Sequence, residues 1–254
     1  MSITLIFGEL KFPFLCFLTM ETLKLKPIIS VDVVSDVACP WCYIGKKHLE
    51  DAISQLQNDF EFKIAFKPFQ LDPTIPAKGI DSKTYFLNKF GNEGTLEQIF
   101  NRVEKAGSSV GIIFDFKNIV KAINTLPLHA ILKTAALDNI QLQVANQLFE
   151  AYMVEPQDLS DEKVLVNLMK KFGWDADKTI SVIHDQELLK SIEEDIKGYQ
   201  QMQITGVPFF IINDKFGVSG AQPTGVFIEA FKSLKPEDFP VNENLSCSID
   251  GNNC

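Results

Sequence analysis

From residue 28 the chain switches between two hydrophobic periods, and each predicts a different element. Residues 28 to 36, IISVDVVSD, are β-branched and almost continuously apolar, the pattern of a strand buried on both faces. From Pro40 onward, Ile44, His48 or Leu49, Ala52, Ile53 and Leu56 recur at helical spacing, while Lys46, Lys47, Glu50 and Asp51 fall on the other side. Pro40 suits the first helical turn, where its missing N–H has no partner to lose. Period two then returns in FEFKIAFKPF, which puts Phe60, Phe62, Ile64 and Phe66 on one face and Glu61, Lys63, Ala65 and Lys67 on the other. A helix between two such strands implies a parallel pair with a right-handed crossover.

Residues 82 to 203 carry no comparable strand signal and predict several helices. Leu188, Ile192, Ile196 and Tyr199 stand at helical spacing, and GNEG, EPQD and FGWD mark breaks between segments. At residue 207 the pattern changes back: VPFFIINDKFGVSG predicts a β-hairpin with its turn at Asn213 and Asp214, and a helix follows from about 223 to 234. The predicted fold class is α/β, with the order βαβ, a helical block and ββα. Strands from the two ends of the chain must meet in one sheet for either half to be buried. The expected organisation is a discontinuous α/β domain over 28–80 and 204–235 with an inserted all-helical domain over 81–203. An N-terminal extension over 1–27 and a tail over 236–254 flank it.

Residues 1 to 19 are apolar but read poorly as a targeting segment. No basic residue opens them, Glu9, Lys11 and Pro13 interrupt the run, and no small-residue cleavage site follows. A membrane span needs about 20 predominantly apolar residues, which this stretch is too broken to supply. It reads as an upstream extension of a protein beginning at Met20, with Cys16 an incidental thiol.

Charge and cysteine usage narrow the class. A net charge of −9 over 254 residues argues against nucleic acid and anionic membranes as partners. The 46% hydrophobic content is enough for a real core without a disulfide scaffold. Five cysteines, an odd number, fit a reducing compartment better than a secreted disulfide framework.

Cys39 and Cys42 flank Pro40 and Trp41 where the first strand passes into its helix. There a cysteine meets unpaired N–H groups and the positive end of the helix dipole, both of which stabilise a thiolate. Cys39 is therefore expected to be the exposed nucleophile, and Cys42, one turn inside, the residue that attacks the mixed disulfide. Zinc and a static disulfide are the competing readings. Structural zinc usually takes four ligands from two closely spaced pairs. The other pair, Cys247 and Cys254, is separated by six residues in the tail, so no metal is expected. That tail pair is a candidate second redox pair able to fold back on CPWC or to form its own disulfide; the alternatives are two incidental surface thiols and metal scavenging.

CPWC after a strand, with TGVPFF far downstream, resembles the thioredoxin superfamily in its DsbA-like branch, where a helical domain interrupts the thioredoxin-like fold. More narrowly, SDVACPWCYIGKKHLE, NTLPLHAIL (124 to 132) and ITGVPFFIIN (204 to 213) are similar to the FrnE-like subgroup of dithiol-disulfide oxidoreductases. That subgroup is related to 2-hydroxychromene-2-carboxylate isomerases and kappa-class glutathione transferases. The similarity covers about residues 28 to 235.

The resemblance implies that the Val207–Pro208 bond is cis, that Pro208 lies beside Cys39 and that the backbone of Val207 pairs with substrate. It also implies that His129 lines a cleft above Cys39, although a lone histidine on an apolar helix is more often core. Asp36 reads first as a loop-capping acid and second as a proton acceptor, and His48 and His184 as solvated. In the isomerase and transferase branch a serine commonly replaces the first cysteine and activates glutathione; both sulfurs here favour disulfide exchange. Trp41 offers neither charge nor the hydrogen bond a histidine would give the thiolate, so the pair should be less oxidising than CPHC.

The expected activity is a cytoplasmic thiol-disulfide oxidoreductase acting on protein or small-molecule thiols. It needs no cofactor beyond glutathione as a candidate co-substrate. Monomer and homodimer are both open. A glutathione-linked transferase or isomerase and a peptide-binding holdase are the alternatives, and the 21 phenylalanines fit an apolar groove and ordinary core equally.

Overall fold

The computed structural model describes residues 26–239, so Cys16, the start at Met20, and the tail pair Cys247 and Cys254 lie outside the described residues. Along the chain come β1 (Ile28–Ser35), α1 (Pro40–Leu56), β2 (Glu61–Pro68), β3 (Ile80–Asp81), α2 (Ser82–Phe90), α3 (Glu93–Ser108) and β4 (Lys121–Ala122). Then follow α4 (Leu126–Leu137), α5 (Gln141–Met153), α6 (Glu162–Lys170), α7 (Ala176–His184) and α8 (Gln186–Gln201). The chain closes with β5 (Phe209–Ile212), β6 (Phe216–Ser219) and α9 (Thr224–Lys232).

The main sheet has the order β2-β1-β5-β6. β1 and β2 run parallel in the register Ile28 to Glu61 through Ser35 to Pro68, as the connecting helix requires. β5 pairs antiparallel on the other side of β1, Val33 opposite Phe210, and so joins the two ends of the chain in one sheet. Along β1, Ile29, Val31 and Val33 are fully buried while Ile28, Ser30 and Asp32 are half-buried; at its end both faces close over Val34 and Ser35. Burial is thus deepest where the strand delivers the chain to Cys39. Asn213 and Asp214 take φ values of 49° and 54° in the hairpin turn, the left-handed pairing favoured in tight hairpin connections.

The helical segments begin and end where punctuation residues placed the breaks. Asp81, Asn92, Asp161, Asp175 and Asp185 cap α2, α3, α6, α7 and α8 by accepting backbone N–H bonds. Ile192 and Ile196 of α8 are buried against Ala130 of α4. One element escaped the pattern: two-residue strands β3 and β4 pair antiparallel, Ile80 opposite Ala122, too short to show a period.

Lys46 is a correction. Its place among Lys47, Glu50 and Asp51 predicts a solvated side chain, yet it is 1% exposed. Its neighbours on that side stay nearer solvent, Lys47 at 38% side-chain exposure and Asp51 exposed, so Lys46 alone is drawn into the packing. The aliphatic stem is buried and the ammonium donates to Glu50 Oε1 at 2.5 Å.

Candidate active site

β1 delivers the chain into a turn, Cys39 N–H to Asp36 C=O at 3.0 Å, and α1 starts at once. Cys39 is the N-cap residue, with Pro40 in the first turn and no side chain capping the free N–H groups. Its sulfur meets the carbonyl oxygen of Val207 at 3.6 Å, and the Val207–Pro208 peptide is cis. The fold thus brings Cys39 against Val207, some 170 residues away in sequence, with Pro208 the next residue.

Cys39 is not exposed as the sequence reading expected. It is 3% exposed, because the residues that make the helix N-terminus also crowd it. Its access is through a cavity of about 340 Å³ that it lines. Trp41 and Val207 line it with Cys39, and so do Phe86, Phe90, Phe100 and Phe116. Phe100 and Phe116 stack with centroids 4.7 Å apart, and Phe86 meets Phe100 edge-on at 5.4 Å. The phenylalanines therefore serve the cavity as well as the core.

Cys42 lies one turn deeper and is fully buried. Burial pushes its thiol well above the usual range, and the adjacent Cys39 sulfur adds to the shift. The Ser35 hydroxyl and the Asp36 backbone pull partly the other way. Ser35 Oγ is itself buried and has no conventional hydrogen-bond partner among the described residues. Its O–H is therefore free to turn toward sulfur when charge develops there.

Asp36 holds the approach loop, as the loop-capping reading expected. Its carboxylate accepts from the amides of Ala38 at 3.1 Å and Leu71 at 2.7 Å, pinning the CPWC approach to the segment after β2. His129 is beside it, Nε2 at 3.8 Å from Asp36 Oδ1. Of the two readings of His129 the core one fits: it is 3% exposed and is not among the residues lining the Cys39 cavity, but borders a separate cavity with Lys67 and Tyr199. Its Nε2 donates to the Phe69 carbonyl at 2.7 Å, which fixes the proton on that nitrogen because a carbonyl can only accept. Burial holds its pKa below the ordinary imidazole range, with Asp36 and the Phe69 carbonyl opposing. His184 is exposed and pairs with Glu162, while His48 is half-buried with Nδ1 3.2 Å from Thr224 Oγ1.

Two residues that periodicity missed complete the site. Gly45 is the point of α1 that meets Pro208, and an added Cβ would stand 3.0 Å from its Cγ. Tyr43 stacks on Phe149 with centroids 5.1 Å apart and rings 9° from parallel, tying α1 to α5. The glycine two residues after CPWC-Tyr was the available signal for the first; nothing local marked the second.

Among the described residues, no three His, Cys, Asp or Glu side chains gather as a metal site, and no helix is long and apolar enough to cross a membrane.

The description of the DSBA-like thioredoxin domain family matches residues 30–232. The chain is 24% identical to an uncharacterized protein of Bacillus subtilis, YwbO, over 80% of this chain and 95% of that one. A crystal structure of a probable DsbA oxidoreductase from Streptomyces coelicolor superposes with a TM-score of 0.75 at 25% identity, covering 88% of this chain and 97% of the other. A 2-hydroxychromene-2-carboxylate isomerase shares the fold at 14% identity, with a TM-score of 0.63 over 80% of this chain and 94% of its own.

Proposed function

The chain belongs to the DSBA-like thioredoxin domain family, and on that premise we propose that it exchanges disulfides through Cys39 and Cys42. The observation that carries this reading is the placement of Cys39. It caps α1, opens on a cavity and faces the Val207 carbonyl, while Cys42 waits one turn below. The probable DsbA oxidoreductase from Streptomyces coelicolor adds support at the level of family.

In the reducing direction, Cys39 thiolate attacks one sulfur of the substrate disulfide. A Cys39–substrate disulfide forms and the other substrate half leaves as a thiolate. Cys42 then loses its proton and attacks Cys39 Sγ, which closes the Cys39–Cys42 disulfide and frees the second half. Two electrons pass from the dithiol to the substrate, which departs as two thiols once its thiolates take up protons. The burial that keeps Cys42 protonated prevents it from competing for the first attack. Val207 C=O can accept from a donor on the substrate next to the reacting sulfur.

An indole between the sulfurs gives no cationic support to the thiolate, which favours a pair resting reduced in a thiol-rich compartment such as the cytoplasm. Glutathione fits as the recharging thiol. The isomerase alternative has the shared architecture, but this chain retains both sulfurs.

The test is the redox equilibrium of the pair against glutathione buffers, followed by Trp41 fluorescence, with Cys39→Ser as control. A reversible two-electron transition, lost in the variant, is expected. Its absence in the wild-type chain would overturn the proposal. Aggregation suppression that survives Cys39→Ser, without any such transition, would point to a holdase.

A further inference from the structure

The cavity beside Cys39 is apolar over most of its lining. It has a volume of about 340 Å³ and four phenylalanines in its lining, which suits one compact apolar group next to the reacting sulfur. Three charged residues line it, and each is engaged by its own chain. Asp36 accepts from two backbone amides, as described above. Asp72 accepts from the Tyr85 hydroxyl at 2.9 Å, and Lys89 donates to that same hydroxyl at 2.7 Å.

One cation beside the site, over Trp41 and not in the cavity lining, stands outside this pairing. Arg102 of α3, the single arginine in the sequence, places its guanidinium over the ring of Trp41, with Cζ 5.9 Å from the centroid. The indole gives it a platform, and the side chain is exposed. It forms no salt bridge or hydrogen bond of its own among the described residues, so its planar fork of donors is free to meet an anion. Trp41 is also a wall of the cavity and lies two residues from the nucleophile. Trp41 thus borders the apolar pocket that Cys39 also lines, and a guanidinium with no partner among the described residues lies over the same indole, in a chain whose net charge of −9 otherwise repels anions.

We infer that the substrate is a low-molecular-weight disulfide carrying a compact apolar group and an anionic group. The apolar group fills the cavity, and Arg102 binds the anion at the edge of Trp41. This rests on the oxidoreductase reading and names the substrate class for the same site. The chemistry is the two-step exchange already written: the dithiol is oxidised and the small disulfide leaves as two thiols.

The test is a single-turnover reduction by prereduced protein of three disulfides: dithiobis(nitrobenzoate), aromatic and anionic; dithiodipyridine, aromatic and neutral; hydroxyethyl disulfide, small and polar. Each rate is divided by that of N-acetylcysteine with the same disulfide, which removes intrinsic reactivity. In the wild-type chain the normalised rate should be at least about tenfold higher for dithiobis(nitrobenzoate) than for hydroxyethyl disulfide, the scale of one well-placed contact. Arg102→Gln should lower the ratio of the anionic to the neutral aromatic rate about tenfold, and Arg102→Lys should restore part of it. Ile99→Trp, which plugs the cavity from half-buried α3, should depress both aromatic rates relative to hydroxyethyl disulfide.

Ratios unchanged in both Arg102→Gln and Ile99→Trp would overturn the inference and leave disulfide exchange standing. An extended peptide disulfide reduced faster than dithiobis(nitrobenzoate), after the same normalisation, would also overturn it in favour of protein substrates. Failure of the wild-type chain to reduce any of the disulfides, with no difference from Cys39→Ser, would instead remove the oxidoreductase reading itself.

Discussion

Gly45 presents its bare Cα to Pro208, so that helix α1 and the segment entering β5 touch without a side chain between them. A Cβ there would stand 3.0 Å from Pro208 Cγ, 3.1 Å from Phe210 Cζ and 3.3 Å from Ala221 Cα. The neighbours are a ring, a buried aromatic and a backbone atom, none of which can swing away. Overpacking costs about 1–3 kcal/mol, against a helix-propensity gain near 1 kcal/mol for alanine. Gly45→Ala should therefore destabilise the fold by up to about 2 kcal/mol in denaturant titration. Gly198→Ala in α8, where an added Cβ meets nothing within 4 Å, should stabilise it by about 0.5–1 kcal/mol. Equal signs for the two would refute the packing argument.

Lys46 and Glu50 form a pair in which one partner is buried and the other reaches solvent. Lys46 is 1% exposed and Glu50 29%. Burial lowers the Lys46 pKa, while Glu50 raises it in partial compensation. Removing the carboxylate strands the buried ammonium, whereas replacing the lysine by an apolar side chain of similar length removes the problem. Glu50→Gln should cost about 1–3 kcal/mol, and Lys46→Met less than about 1 kcal/mol. A larger loss for Lys46→Met in thermal unfolding would mean that the ion pair itself holds α1.

His129 makes stability depend on pH in a defined direction. The folded imidazole titrates below its ordinary value, so the unfolded chain binds a proton that the folded chain refuses. That contribution is complete above about pH 6.5 and is lost as the pH falls toward the depressed folded value. His129→Gln keeps a donor for the Phe69 carbonyl but cannot titrate. Its unfolding free energy should be flatter than wild type between about pH 6.5 and 5. Parallel profiles would assign the acid slope to other groups.

The sequence exposed those features that repeat and concealed those made by single contacts. The strand over 28–35 and the helix from Pro40 were legible because their periods run for many residues; β3 and β4 were hidden because two residues define no period. CPWC and the Val207–Pro208 segment could be joined in advance because the motif order carries that information. Lys46 could not be placed, since it shares its side of α1 with Lys47 and Asp51, which do reach solvent, and only the folded packing singles it out for burial. Arg102 gave no local signal: it lies 61 residues from Trp41 in the sequence, and only the packing of α3 beside α1 brings them together.

Ser35 separates the two steps of exchange. Its hydroxyl is 3% exposed as a residue and makes no conventional hydrogen bond among the described residues, so the resting fold gains little from it. Ser35→Ala should change stability by less than about 0.5 kcal/mol, since an unsatisfied buried hydroxyl is removed. The hydroxyl is nevertheless one of the few groups that favour the Cys42 thiolate against burial. Without it, the Cys42 pKa should rise further. Release of product from the Cys39 mixed disulfide should slow by about three- to tenfold near neutral pH, equivalent to about 1 kcal/mol of lost thiolate stabilisation. Capture of the first half-substrate by Cys39 should slow less, so a stopped-flow trace at neutral pH should accumulate the mixed disulfide. Raising the pH should restore the release rate, because ionising Cys42 is the deficient step. A variant whose two steps both match wild type at every pH would show that the Ser35 hydroxyl takes no part in resolution.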